Sequence, residues 1–181
     1  EVKGMTYQEE IDWIVTHPDR NEIIKNLTIA QEGNSLVLFQ FVEKHGVVLY
    51  EMIKESVKEG RKVFFVYGGT DTEVREEIRA ITEKQDNAII IASYGTFSTG
   101  INIRNLHNIV FASPSKSRIR NLQSIGRGLR KGDNKVECRL FDIGDDLSYK
   151  SKKNYTMNHL IERIKIYNEE GFNYKLVKLD V

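Results

Sequence analysis

Five short stretches of this chain are apolar on consecutive positions: "SLVLFQF" (35–41), "KVFFVYG" (62–68), "NAIIIAS" (87–93), "HNIVFASP" (107–114) and "VECRLFDIG" (136–144). A strand with one wet face alternates apolar and polar residues, because successive side chains point to opposite faces. A strand covered on both faces does not alternate. Segments with helical spacing separate most of these runs. That order predicts an α/β fold of three layers, a mostly parallel central sheet flanked by helices. A chain of 181 residues is long enough to bury one such core.

The helical segments carry recognisable punctuation. Thr6 and Glu9 form a capping box ahead of Tyr7, Ile11, Ile14 and Val15. His17-Pro18 breaks that pattern, since the residue before proline avoids the helical region. Asp19 and Glu22 predict the cap of a second helix bearing Ile23, Ile24, Leu27 and Ala30, stopped by Gly33-Asn34. Residues 44–59 have helical spacing, Thr70 and Glu73 predict a cap for a helix over 71–83, and a further helix is expected from Ser117 to Leu129. Residues 152–170 read as an amphipathic helix ended by Gly171, with "FNYKLVKLDV" as a final strand. We therefore expect a helical entry over 1–34, the α/β lobe over 35–149, and a C-terminal helix and strand extension of the same domain over 150–181.

Charge narrows the function little: 27 Lys and Arg stand against 26 Asp and Glu. Position matters more than sum. The one cysteine, Cys138, excludes an internal disulfide and reads as a buried thiol of an intracellular protein. No apolar run is long enough to span a membrane and no signal-peptide pattern opens the chain, so no membrane association is expected. The chain opens on Glu1, which we take as the start of a piece of a longer protein.

Several sites are missing. There is no Gly-Lys pair, hence no G-x-x-x-x-G-K-[ST] phosphate loop. "GRGLRKG" misses the dinucleotide pattern by one residue and places arginines where the backbone must approach a ligand. His17, His45, His107 and His159 are scattered, which suits structural or solvent-facing roles. The aspartates of "FDIGDD" (141–146) read as turn caps, and no metal site is expected. As a self-sufficient enzyme the chain looks incomplete.

Four features fall where strands end, the place open α/β sheets put their ligands. "SYGTFSTGIN" (93–102) offers hydroxyls and free amides suited to phosphate oxygens, although an ordinary polar loop has the same composition. "QSIGRGLR" (123–130) places Arg127 and Arg130 on one helical face, with Gln123 on the same side. Gly126 and Gly128 cost such a helix about 1 kcal/mol each. A purely structural helix has little reason for them, whereas close approach of a ligand or another chain does. A solvated basic helix is the plainer alternative. "SPSKSRIRN" (113–121), with Lys116, Arg118 and Arg120 among serines, can position a phosphate backbone or seed a helix. "YGGTDTEVREE" (67–77) suits a tight turn and cap as well as a ligand loop.

The run Q-S-I-G-R-G-L-R resembles motif VI (Q-x-x-G-R-x-x-R) of superfamily 2 helicases and translocases. S-Y-G-T-F-S-T-G-I-N resembles their motif V, and "SLVLFQFVEKHG" their motif IV, in the right order over residues 20–147. The resemblance implies a RecA-like C-terminal lobe. In that family ATP and nucleic acid lie across a cleft between two such lobes, and the phosphate loop and Mg²⁺-binding acids belong to the N-terminal one. It implies that Arg130 is an arginine finger, that Arg127 is its partner at the γ-phosphate, and that Gln123 orients the phosphate or water network. Gly126 would allow close packing, and Gly100 and Asn102 would lie near the nucleotide. Ser93, Thr96, Ser98, Thr99 and Lys116 would contact nucleic acid. Asn102 stands where many members have aspartate; it keeps hydrogen-bonding capacity but supplies no charge to the arginines.

The helical entry and C-terminal extension look most like those of a phage-encoded DNA helicase. That likeness implies work on branched or single-stranded DNA, including forks, Holliday junctions and RNA–DNA hybrids, in the host cytoplasm. Partners would be the N-terminal RecA-like lobe of the same protein and DNA; the chain alone would be inactive. A non-catalytic nucleic-acid-binding or interaction domain of the same fold is the alternative, and a stand-alone small-molecule enzyme fits least.

Overall fold

The computed structural model describes residues 4–98, 105–114, 138–148, 152–169 and 171–180. Helices α1 (Tyr7–Thr16) and α2 (Pro18–Ala30) lead into β1 (Ser35–Phe39). A π-helical turn (Val42–Gly46) opens α3 (Val47–Ser56), followed by β2 (Val63–Val66), α4 (Thr72–Glu83) and β3 (Ile89–Ser93). The short α5 (Tyr94–Ser98), β4 (Asn108–Phe111), β5 (Arg139–Asp142) and α6 (Tyr155–Glu169) complete the described elements.

The five strands form one parallel sheet in the order β2-β3-β1-β4-β5. Strand β1 sits at its centre, with Val37 between Ile91 and Val110. The consecutive apolar runs follow from this placement. Leu36, Leu38, Ile90, Ala92, Ile109 and Phe111 point to one face, under Ile78 of α4 and Tyr167 of α6. Val37, Phe39, Ile89, Ile91, Val110 and Ala112 point to the other, under Ile24 of α2 and Leu49 and Ile53 of α3. Both faces are dry, so every position of β1 is buried. This is the expected three-layer fold.

The ends of the elements depart from the sequence expectations. Thr6 does cap α1, accepting from the Glu9 amide at 3.2 Å. The cap of α2 is His17 rather than Asp19: its Nδ1 accepts from the Asp19 and Arg20 amides at 3.2 and 3.4 Å. Pro18 takes the first helical position, where its missing N–H costs nothing. Thr70 does not cap α4 either; Asp71 stands there, and the Thr70 hydroxyl accepts from the Tyr67 amide at 3.1 Å. The first helical residues after β3 replace an expected turn. "FNYKLVKLDV" forms no strand over its described residues: Tyr174, Leu176, Val177 and Leu179 stand exposed. Apolar content favours a strand only where an edge is there to pair with. The helix expected over 117–129 lies outside the described residues.

The chain's two ends meet. Glu10 of α1 is buried, and its carboxylate accepts from the Tyr155 and Thr156 amides at 3.1 and 3.0 Å and from the Thr156 hydroxyl at 2.8 Å. A carboxylate from one end of the chain thus caps the helix near the other, where free amides and the helix dipole favour negative charge.

Candidate functional site

The strand order sets where a ligand would be held. The chain leaves β1 toward β2 on one side and leaves β4 toward β5 on the other. Loops that head opposite ways open a crevice at the carboxyl ends of an α/β sheet. Here the crevice between β1 and β4 is filled by protein. His45, from the π-helical turn after β1, meets Ser113, just beyond β4, at 2.5 Å from Nδ1 to Oγ. Both are fully buried.

The tautomer of His45 follows from its partners. The Asn21 amide nitrogen donates to the Val15 carbonyl at 3.1 Å, so its oxygen faces the imidazole. His45 Nε2 donates to that oxygen at 2.9 Å, and Nδ1 therefore accepts from the Ser113 hydroxyl. Burial, and after it the charge of Arg20, push the imidazole pKa down to about 3. The ring is neutral at ordinary pH. A Ser–His pair invites a nucleophile reading, but these groups have no access to solvent or substrate. They form a structural brace.

Two further side chains grip the same spot. Arg20 donates to the Ala112 carbonyl at 2.6 Å and holds Asp145 through two bonds of 2.6 and 3.0 Å. The Tyr94 hydroxyl donates to the Ser113 carbonyl at 2.8 Å. The aspartates of 141–146 are thus mostly ion-pair partners rather than turn caps. Asp142 holds fully buried Arg163 at 2.6 and 2.9 Å and accepts from the Tyr167 hydroxyl at 2.5 Å. Only Asp146 matches the turn reading. Hydrogen bonds from Ser148, side chain first, hold its carboxyl below the usual range. Among the described residues no three His, Cys, Asp or Glu side chains cluster as metal ligands.

Of the site residues read from the sequence, the described ones sit at the end of β3. The Ser93 and Thr96 hydroxyls pair at 2.6 Å, and Ser93 Oγ also accepts from the Thr96 amide at 3.3 Å. Ser93 is half-buried and Thr96 buried, so both shape the start of the 93–102 loop. Ser98 ends α5. Thr99, Gly100, Asn102, Lys116, Gln123, Gly126, Arg127 and Arg130 lie outside the described residues.

Nearby, the turn after β2 is built as a unit. Arg75 donates to the Thr70 and Gly68 carbonyls, both at 2.9 Å. A Cβ on Gly68 would meet nothing within 4 Å, so the turn presents bare backbone. Cys138 is half-buried, and burial pushes its thiol up to about 11. Sequence reasoning missed the brace of Arg20, Asn21, His45, Tyr94 and Ser113. A histidine directly before a glycine, at the end of a strand-plus-turn pattern, was its one local signal.

The described residues thus form an α/β lobe with a parallel sheet, a serine- and threonine-rich stretch after β3 and, in the sequence, a basic glycine-bearing run after β4. The model of the helicase conserved C-terminal domain matches residues 19–132, and the chain belongs to that family. Among known proteins it is similar to the ATP-dependent DNA helicase UvsW of Enterobacteria phage T4. The two are 40% identical over 186 residues, which is 96% of this chain and 36% of the phage protein. The crystal structure of T4 UvsW superposes with a TM-score of 0.77, covering 96% of this chain and 37% of that one. The C-terminal domain of the DEAD-box protein Dbp5, 17% identical, shares the fold, with a TM-score of 0.62 over 86% of this chain and 82% of that one. The chain therefore spans little more than a third of the phage relative. No helix among the described residues is long and apolar enough to cross a membrane.

Proposed function

We propose that this chain is the C-terminal motor lobe of an ATP-dependent nucleic-acid helicase or translocase, and that it completes a nucleotide site begun by an N-terminal lobe. The family match over 19–132, which contains the whole of Q-S-I-G-R-G-L-R, carries the reading. The described strand ends fit a half-site. Their crevice is filled by His45 and Ser113, and the sequence holds no phosphate loop. ATP with Mg²⁺ would supply the phosphoryl group and its charge neutralisation, held mainly by the other lobe.

In this reading Arg130 places fixed positive charge beside the transferring phosphoryl group, and Arg127 grips the γ-phosphate beside it. Arginine suits both positions because its planar fork stays charged and holds two oxygens. Gln123 orients the phosphate or water network, and Gly126 lets the backbone approach. Gly100 and Asn102 line the nucleotide side of the 93–102 loop. Ser93, Ser98, Thr99 and Lys116 hold nucleic-acid backbone, and Thr96 shapes the loop through Ser93. The arginines grip phosphate only before hydrolysis, so the lobes close and open once per turnover. If the backbone grip differs between the two states, each cycle moves the strand. Such contacts read no sequence and weaken with salt.

The 40% identity to a phage DNA helicase supports DNA as the substrate. We extend this to branched DNA: forks, Holliday junctions and R-loops. In the intact protein, Arg130→Ala is expected to leave ATP binding largely unchanged and to lower nucleic-acid-stimulated hydrolysis by about a thousandfold or more. Near-normal turnover of that variant would remove Arg130 from the finger role.

A further inference from the structure

Helix α6 ends in a turn that sends the chain back along itself. The Gly171 amide donates to the Asn168 carbonyl at 3.2 Å and the Phe172 amide to the Tyr167 carbonyl at 3.0 Å, with Gly171 at φ +70°. Two such bonds around a left-handed glycine make a Schellman motif. The Phe172 ring closes it against Tyr167, 6.3 Å between centroids, and Tyr174 lies against the same ring at 6.3 Å. The far end of the segment returns toward the start of α6. After the hydrogen bonds from Ser148, the charge of Lys178 helps hold the Asp146 carboxyl low, and Asp146 precedes the helix. Extended chain from Phe172 to Lys178 reaches about 20 Å, about the rise of the helix from Tyr155 to Tyr167.

This returning segment does not rest on the lobe. Leu176 and Val177 are 69% and 68% exposed, and Leu179 is 63% exposed. Neighbours in extended chain point opposite ways, so both faces of the segment are wet. Among the described residues, the backbone of 173–180 makes no hydrogen bond. An apolar segment with open faces and unpaired N–H and C=O groups is a strand without a sheet, the form in which a chain adds to another chain's edge.

The charges within the segment select what fits it. Laid antiparallel on a second copy with Leu176 opposite Leu179, Lys175 stands opposite Asp180, and a twofold axis makes each pair occur twice. Moving one strand by a single residue sets Lys175 against Leu179, or Lys178 against its own copy. Moving it by two sets Lys175 against Lys178. We propose that residues 174–180 are an interaction surface for a second copy of this chain, the two tails pairing as an antiparallel ribbon with leucine against leucine and Lys175 against Asp180. Seven residues a side bury less than an ordinary stable interface does, so the dimer is weak, with a Kd on the order of 10 µM.

The test is sedimentation velocity of the intact protein without nucleic acid, over a concentration series from about 1 to 100 µM. The wild type is expected to pass from monomer to dimer. Leu176→Asp with Leu179→Asp is expected to stay monomeric at an unchanged melting temperature, because neither leucine packs on the lobe. Lys175→Glu alone is expected to weaken the dimer about tenfold, and Lys175→Glu with Asp180→Lys to restore it to within about threefold of wild type. A monomer at every concentration would overturn the proposal and leave the rest of the polypeptide as the cover. So would a dimer that survives both aspartates, a charge reversal that the second reversal does not rescue, or a fall in melting temperature showing that the leucines pack on their own lobe.

Discussion

At the scale of single residues, the molecule spends its buried polar groups on bracing the strand ends. His45 is the sharpest case. Its pKa falls to about 3, driven first by burial and then by Arg20, so the folded protein resists a proton that the unfolded chain accepts near pH 6.5. The sign follows: stability from this group is complete above about pH 6.5 and declines by about 1.4 kcal/mol per pH unit as the pH falls toward 3. Between pH 7.5 and 5 the wild type is expected to lose about 2 kcal/mol from His45 by urea denaturation. His45→Gln, less stable at neutral pH, is expected to lack that slope; equal slopes would contradict a buried neutral imidazole. The sequence showed His45 only as one scattered histidine, because nothing local reveals that Asn21 and Ser113 lie beside it. Arg163 misleads in the same way. On a helix it reads as surface charge, yet it is fully buried against Asp142. Partners distant in sequence are invisible to spacing.

At the scale of elements, strands were legible and helix ends were not. All five apolar runs became strands; continuous burial on two faces explains the pattern of β1, β3 and β4, whereas the edge strands β2 and β5 are only partly buried. Caps depend on which acceptor wins a few free amides. His17 displaced Asp19 at α2 because the proline moved the helix start, and Thr70 was drawn into the Tyr67 turn. The cap of α6 was beyond reach, for it comes from Glu10 at the far end of the chain. That carboxylate welds α1 to α6. Glu10→Ala leaves the Thr156 amide buried without its acceptor and the Thr156 hydroxyl with only a long, 3.5 Å contact to the Asp145 carbonyl. A loss of about 2–4 kcal/mol in a urea titration is expected. A loss below about 0.5 kcal/mol would mean that the two helices hold together without the carboxylate.

At the scale of the whole molecule, the absences were as informative as the motifs. A parallel sheet with hydroxyls at its strand ends, in a sequence that carries Q-S-I-G-R-G-L-R but no phosphate loop, is in the proposed reading half of a site. The family match and the fold show the helicase C-terminal domain. What distinguishes half a catalytic site from a basic patch is whether guanidinium geometry matters or only charge. The measurement is nucleic-acid-stimulated ATP turnover of the intact protein carrying Arg127→Lys together with Arg130→Lys, with nucleic-acid affinity measured alongside. Lysine keeps the charge but loses the planar fork. Turnover is expected to fall by about a hundredfold or more while affinity for nucleic acid stays close to wild type; unchanged turnover would show that the arginines serve as surface charge and that the lobe completes no nucleotide site.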